Sequence, residues 1–180
     1  METWDAIRAR RNVREYGPDP VSDADLEHIV EAARRAPSGG NYQPWDFVVV
    51  TDKAQLEQLS TVWRGATHIA HAPAAIALIV PVPDNDERAK LIDRSDLRLI
   101  DQFDLGQAMM AMTIAAADLG IGTGHSWVGD QEKARAVLGV PDDHIVSYLL
   151  GVGYPADRRL QPIRKPDRRP LAEVMHRGRW

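Results

Sequence analysis

Cysteine is missing from all 180 residues. That absence removes disulfides and thiolate metal sites, and it suits a chain kept in a reducing cytoplasm. Nowhere do about eighteen apolar residues run together, and the opening "METWDAIRAR" carries two acids where a secretion leader needs an apolar stretch. The expectation is therefore a cytoplasmic protein that neither enters nor crosses a membrane. Low-complexity linkers and internal repeats are also lacking, so the chain reads as one domain over residues 1–180, long enough to bury a single core. A surplus of positive charge is absent as well, the formal net charge being −4.

Positive charge is nevertheless concentrated. The stretch "IRARRNVREYG" at residues 7–17 holds Arg8, Arg10, Arg11 and Arg14. Residues 1–14 carry +2 and residues 157–180 carry +5, which leaves −11 for the chain between them. A nucleic-acid binder spreads basic charge over a continuous face of a basic domain. Two basic ends around an acidic body instead suit a small anion gripped by both ends of the chain.

Hydrophobic patterning predicts the elements. Residues 3–11 read as a short helix, and "VSDADLEHIVEAARRAP" as a capped one, with Ser22 and Asp25 as a capping box and Pro37 as the stop. "DFVVV" at 46–50 and "AAIALIV" at 74–80 are buried strands, with a helix over 53–63 between them. The charged segment 84–100 reads either as a surface helix or as a mobile cover. The segment 101–120 has no charge between Asp104 and Asp118, which predicts a helix buried on all sides, against a partner subunit, and ended by Gly120. A loop and strand follow, then a helix over 130–138 and a last strand, "HIVSYLLGVGY".

Several motifs carry less than they suggest. "GIGTG" at 120–124 follows a helix, whereas a dinucleotide fingerprint follows a strand and opens a helix. His68 and His71 have ligand-like spacing without a zincin glutamate or a third ligand nearby, so no metal site is expected. Ser126 beside His125 lacks the Gly-x-Ser-x-Gly turn of a hydrolase nucleophile.

Five blocks in order are jointly specific: "RRNVREY" at 10–16, "ARRAPSGGNYQPWDFVVV" at 33–50, "DLGIGTGHSW" at 118–127, "GVGYP" at 151–155 and "RRPLAEVMH" at 168–176. With these blocks the chain resembles the FMN-dependent nitroreductase family over nearly its whole length. The resemblance implies an α+β fold, a mixed sheet flanked by helices, in an intertwined homodimer with two flavin sites at the subunit interface. It assigns the FMN phosphate and ribityl chain to Arg10, Arg11, Asn12 and Arg14, with Asn12 standing where the family usually has serine. It lays Pro37, Ser38 and Asn41 of the other subunit against the flavin ring. His125, Ser126 and Trp127 run along the ring near N5, and Arg168 closes on the phosphate.

The implied activity is hydride transfer from NAD(P)H to flavin N5 and on to a nitroaromatic, quinone, flavin or activated alkene in a ping-pong cycle. Larger relatives place a lysine near flavin N1 and O2; here Arg64 and His68 are the substitutes on offer. The deiodinase branch grips its substrate with an acidic, tyrosine-bearing lid, and residues 84–100 have acids but no tyrosine. No side chain is an evident acid or base, so no catalytic residue is named. Two other readings stay open: a flavin-binding or sensing module without turnover, and a nucleic-acid-binding domain using the basic ends.

Overall fold

A computed structural model gives the arrangement of residues 1–83 and 87–180. Its elements in chain order are α1 (Thr3–Ala9), α2 (Asp23–Arg34), β1 (Asp46–Val50), α3 (Lys53–Leu59), β2 (Ala74–Pro81), α4 (Arg94–Asp118), β3 (Gly122–Trp127), α5 (Gln131–Leu138) and β4 (His144–Gly153). The helix starts follow cap chemistry. Ser22, Asp52 and Asp130 each accept a backbone N–H three residues on, which satisfies one orphan donor apiece. Gly139 takes the left-handed conformation, φ 67°, that ends α5.

The sheet runs β1-β2-β4-β3. In β2, Ile76, Leu78 and Val80 face α2 and α4, while Ala75, Ala77 and Ile79 face the layer holding α3 and α5. Burial on both faces is the reason this strand is apolar without alternation. A bulge between Leu78 and Ile79 leaves Ser147 of β4 without a direct partner in the register.

Every pairing between these strands is antiparallel, which corrects the mixed sheet. Parallel pairing in the described residues is confined to an isolated bridge between Asn12 and Thr123. Helix length explains the pattern. A parallel crossover must carry the chain back along a strand, and the seven residues of α3 and eight of α5 rise only about 10–12 Å. The 25-residue α4 is long enough, and it joins β2 to β3, which run the same way with β4 between them.

Helix α4 begins at Arg94, absorbing the last part of the 84–100 segment; residues 84–86 lie outside the described residues. Within the single chain α4 is buried on one side, and Leu99, Phe103 and Met110 are 69%, 69% and 41% exposed. Its buried face instead carries two carboxylates. Asp101 accepts from the Arg88 guanidinium at 2.8 and 2.9 Å, and Asp104 accepts from the Gly39 N–H at 3.0 Å. Charge-assisted bonds of this kind offset the cost of taking carboxylates out of water.

Candidate active site

The stretch after α1 is a docked strand segment. Val13 N–H donates to the Thr123 carbonyl at 2.8 Å, Gly17 N–H to Tyr154 at 2.8 Å, and Ala156 N–H to Glu15 at 3.0 Å. Val13 is 1% exposed and packs onto Gly122, where a Cβ would stand 2.5 Å from its Cγ2. A Cβ at Gly124 would stand 2.2 Å from the Val13 carbonyl oxygen. The close approach therefore requires glycine in β3. Alternation along the extended segment then turns Val13 inward and leaves Asn12 and Arg14 exposed.

A half-buried and a buried group hold this segment from behind. The Tyr16 hydroxyl donates to the Val13 carbonyl at 2.8 Å, in space that a Cβ at Gly151 would enter at 2.7 Å. Burial pushes the Tyr16 phenol far above its ordinary range, so it stays a donor. His68, 5% exposed, places Nε2 2.9 Å from the Gly124 carbonyl. A carbonyl only accepts, so Nε2 carries the proton; Nδ1 is buried without a hydrogen-bond partner among the described residues.

The electrostatics centre on Arg14. Burial, and then the Arg14 charge, push His68 below the usual histidine range against the pull of the Gly124 carbonyl. Burial, followed by Arg14, Arg10 and His68, pushes His125 down as well. Both imidazoles are thus neutral at neutral pH beside two guanidiniums. Neither Arg10 nor Arg14 forms an ion pair among the described residues, in a chain with 26 acids and 22 basic residues. Arg11 differs, since it binds Asp157 at 2.5 Å and the Arg158 carbonyl at 3.0 Å. Arg8 sits 3.7 Å from Asp5 on the exposed side of α1.

The remaining candidates fall into separate places. His125 packs edge-on to Tyr148 with ring centroids 6.2 Å apart. The Ser126 hydroxyl is turned to the Trp127 carbonyl at 3.1 Å. Pro37, Ser38 and Asn41 lie in the turn after α2, which the Gly39 N–H fastens to Asp104 of α4. There Ser38 Oγ accepts from Gln43 N–H at 2.9 Å, and Gly40, Asn41 and Gln43 all take positive φ, 56°, 58° and 53°. Such backbone is costly for Asn41 and Gln43 and is held by the Ser38 and Asp104 acceptors. Hydrogen bonds from this block reach α4 and the block itself, not residues 10–14, among the described residues. Arg168 is exposed and donates to the carbonyl of Asp167.

Residues 7–75 and 61–154 match the sequence model of the nitroreductase family. The chain belongs to that family. Among its relatives, an NADH dehydrogenase of Thermus thermophilus is 30% identical, with 92% of this chain and 93% of the relative covered. The FMN reductase (NAD(P)H) of Bacillus subtilis is 28% identical over 92% of this chain and 70% of its own length. The solved structure of an FMN-dependent nitroreductase from Clostridium difficile shares the fold with a TM-score of 0.81, at 24% identity, over 97% of this chain and 98% of that one.

Sequence reasoning passed over two side chains that this nitroreductase-family fold brings to the site. Tyr16 lies inside the first block and was legible as part of it, but its role as an anchor depends on Gly124 and Gly151. Trp63 is 37% exposed in "STVWRG" and meets Trp127 with centroids 4.8 Å apart at 82°. A large exposed aromatic in a polar loop was its one available signal.

Proposed function

We propose that the chain is an FMN-dependent oxidoreductase that passes a hydride from NAD(P)H, via flavin N5, to a small electrophilic acceptor, a nitroaromatic, quinone, flavin or activated alkene. Donor and acceptor take the site in turn, in a ping-pong cycle. The observation that carries this reading is the pair Arg10 and Arg14, without ion-pair partners among the described residues, beside two histidines held neutral. The group implied by the family fits these residues. Its phosphate brings nearly two negative charges to guanidiniums that have no ion pair among the described residues, and planar forks match phosphate oxygens. Each charge-assisted hydrogen bond contributes about 1.5–3 kcal/mol.

When bound, FMN supplies the hydride chemistry, which the side chains here cannot perform. The chain's residues bind and orient. Arg10 and Arg14 hold the phosphate, and the exposed Asn12 amide donates and accepts along the ribityl chain. His125, Ser126 and Trp127 border the ring. Arg11 holds Asp157 and so ties the start of the C-terminal tail to the site, from which Arg168 closes on the phosphate. No side chain is assigned as an acid or base, and solvent supplies the protons. Pro37, Ser38 and Asn41 come from the second subunit of a homodimer, whose contact covers Leu99, Phe103 and Met110 of α4.

The test is the visible spectrum of the purified protein, with released flavin quantified per subunit and anaerobic bleaching by NADH and NADPH. One FMN per subunit in a sedimenting dimer, bleached by nicotinamide and recoloured by a quinone, is the expected result. A colourless protein that ignores added FMN overturns it. Bound FMN that no nicotinamide reduces would instead favour a binding or sensing module.

A further inference from the structure

Two carboxylates on the buried face of α4 hold one turn of the chain by different routes. Asp104 reaches it directly, accepting the Gly39 N–H at 3.0 Å. Asp101, three residues earlier on the same face, reaches it through two further side chains. It accepts from both terminal nitrogens of Arg88, at 2.8 and 2.9 Å, and the two side chains are 2% and 6% exposed. The Arg88 guanidinium lies over the Tyr42 ring, 5.0 Å from its centroid. That ring covers Gly40, where a Cβ would stand 2.7 Å from Tyr42 Cε2. The turn so gripped is the one with positive φ at Gly40, Asn41 and Gln43, a conformation that only the glycine takes without strain. Arg88 itself belongs to the short helix Glu87–Lys90, whose other residues are exposed or half-buried.

We infer that Arg88 is a positioning residue: clamped by Asp101, its guanidinium fixes the Tyr42 ring over Gly40 and so sets the conformation of residues 38–43. An apolar side chain would anchor a short surface helix to α4 without taking a cation out of water. What it would lack is a planar cation for an aromatic face. The paired hydrogen bonds to Asp101 also fix the plane of the guanidinium, so the ring meets an oriented surface. Because Asp101 and Asp104 stand on one rigid helix, the spacing between the two holds on the turn is set by α4. The use of the turn rests on the proposed activity, in which its Ser38 and Asn41 meet the flavin of the second subunit: a turn already in one conformation binds without the cost of ordering it. The hold on the turn does not rest on that activity.

Amide hydrogen exchange on the protein as purified and after flavin removal measures the hold, and flavin titration measures its use. Tyr42→Leu removes the ring and keeps the ion pair. Arg88→Lys keeps a cation for Asp101 and removes the plane. Arg88→Met with Asp101→Leu removes both charges, leaving no carboxylate buried without a partner. Each is expected to speed exchange at the amides of residues 39–43 about fivefold or more while α2 and the sheet keep their protection. Each is also expected to raise the FMN dissociation constant about fivefold. Tyr42→Phe, which keeps the ring, stays within about twofold of the unaltered protein on both counts. Tyr42→Leu combined with Arg88→Lys does no more than either change alone, because the two break one link. Unchanged exchange at residues 39–43 in Arg88→Lys and in the paired replacement, or effects that add in the combined variant, overturns the inference. The exchange pattern as described in a protein that binds no flavin would refute the proposed activity and leave the positioning role standing.

Discussion

Two arginine-rich stretches of this chain have opposite fates. Residues 10–17 lie along β3 and the end of β4, pinned by backbone bonds, with Val13 buried and Tyr16 anchored from behind. Residues 164–180 carry six basic side chains and are exposed throughout. Composition does not separate them; the surface they meet does. The first stretch carries small apolar and aromatic residues between its charges and meets a strand stripped of side chains at Gly122 and Gly124. The tail alternates charge with proline, which cannot donate to a ladder, and reaches no such floor in its own chain. Guanidinium placed on an anchored backbone becomes a preorganised anion site. The same group on an unanchored tail must pay for its ordering each time it binds.

The sharpest way to break this contrast is to fill the floor. Gly124→Ala puts a Cβ 2.2 Å from the Val13 carbonyl oxygen, against backbone that cannot move cheaply. It is expected to cost about 1–3 kcal/mol of stability and to strip flavin from the purified protein, read by thermal melting and by absorbance. Gly178→Ala in the tail meets nothing within 4 Å and pays only for its φ of +76°, so flavin content should not change.

A smaller effect is expected from single arginines. Arg14→Ala should raise the FMN dissociation constant about ten- to hundredfold, the loss of one charged donor. Arg168→Ala should do the same if the tail closes on the phosphate, whereas Arg8→Ala should change it less than twofold. Flavin titration of the apoprotein compares all three, and equal effects would reduce the first stretch to an ordinary charged surface.

Acid should act next. His68 and His125 are held below the ordinary histidine range in the folded chain, so the unfolded chain binds more protons as pH falls through about 6.5. Stability is then lost on acidification from that pH downward until the lowered folded values are reached. Bound phosphate opposes the Arg10 and Arg14 charges and should shrink the loss. Denaturant melts of apoprotein and FMN-loaded protein between pH 5 and pH 7.5 measure it.

The smallest effect concerns the tail's tie to the first stretch. Arg11 holds the Asp157 carboxyl below its usual range, so the tie is complete above about pH 4 and is lost as pH falls through the lowered value. Asp157→Asn should speed proteolysis within residues 158–180 at neutral pH while leaving the melting temperature of the body unchanged.

Much of the fold was legible because its signals are local. Ser22 with Asp25 marks the start of α2, Pro37 its stop, and the unbroken apolar run at 74–80 can only be a strand buried on both faces. The strand directions were not legible, because helix length and sheet order decide them together and no residue in β1 or β3 encodes which neighbour it will meet. Helix α4 is only partly explained by one chain. A charge-free sequence reports a surface withheld from water, and the single chain withholds only part of it, leaving Phe103 and Met110 open.

The sequence by itself determined the chemistry available to this protein: no thiols, two arginine-rich ends on an acidic body, and five ordered blocks that mark a nitroreductase-family chain. Tertiary structure alone decided which of those groups act together. Arg14, His68 and His125 stand more than fifty residues apart along the chain, and Trp63 is as far from Trp127. Arg14, His68 and His125 become neighbours because glycines in β3 and β4 let one segment lie on bare backbone, and Gly129 does the same for the two indoles. That is steric room, which exists only once both partners are folded.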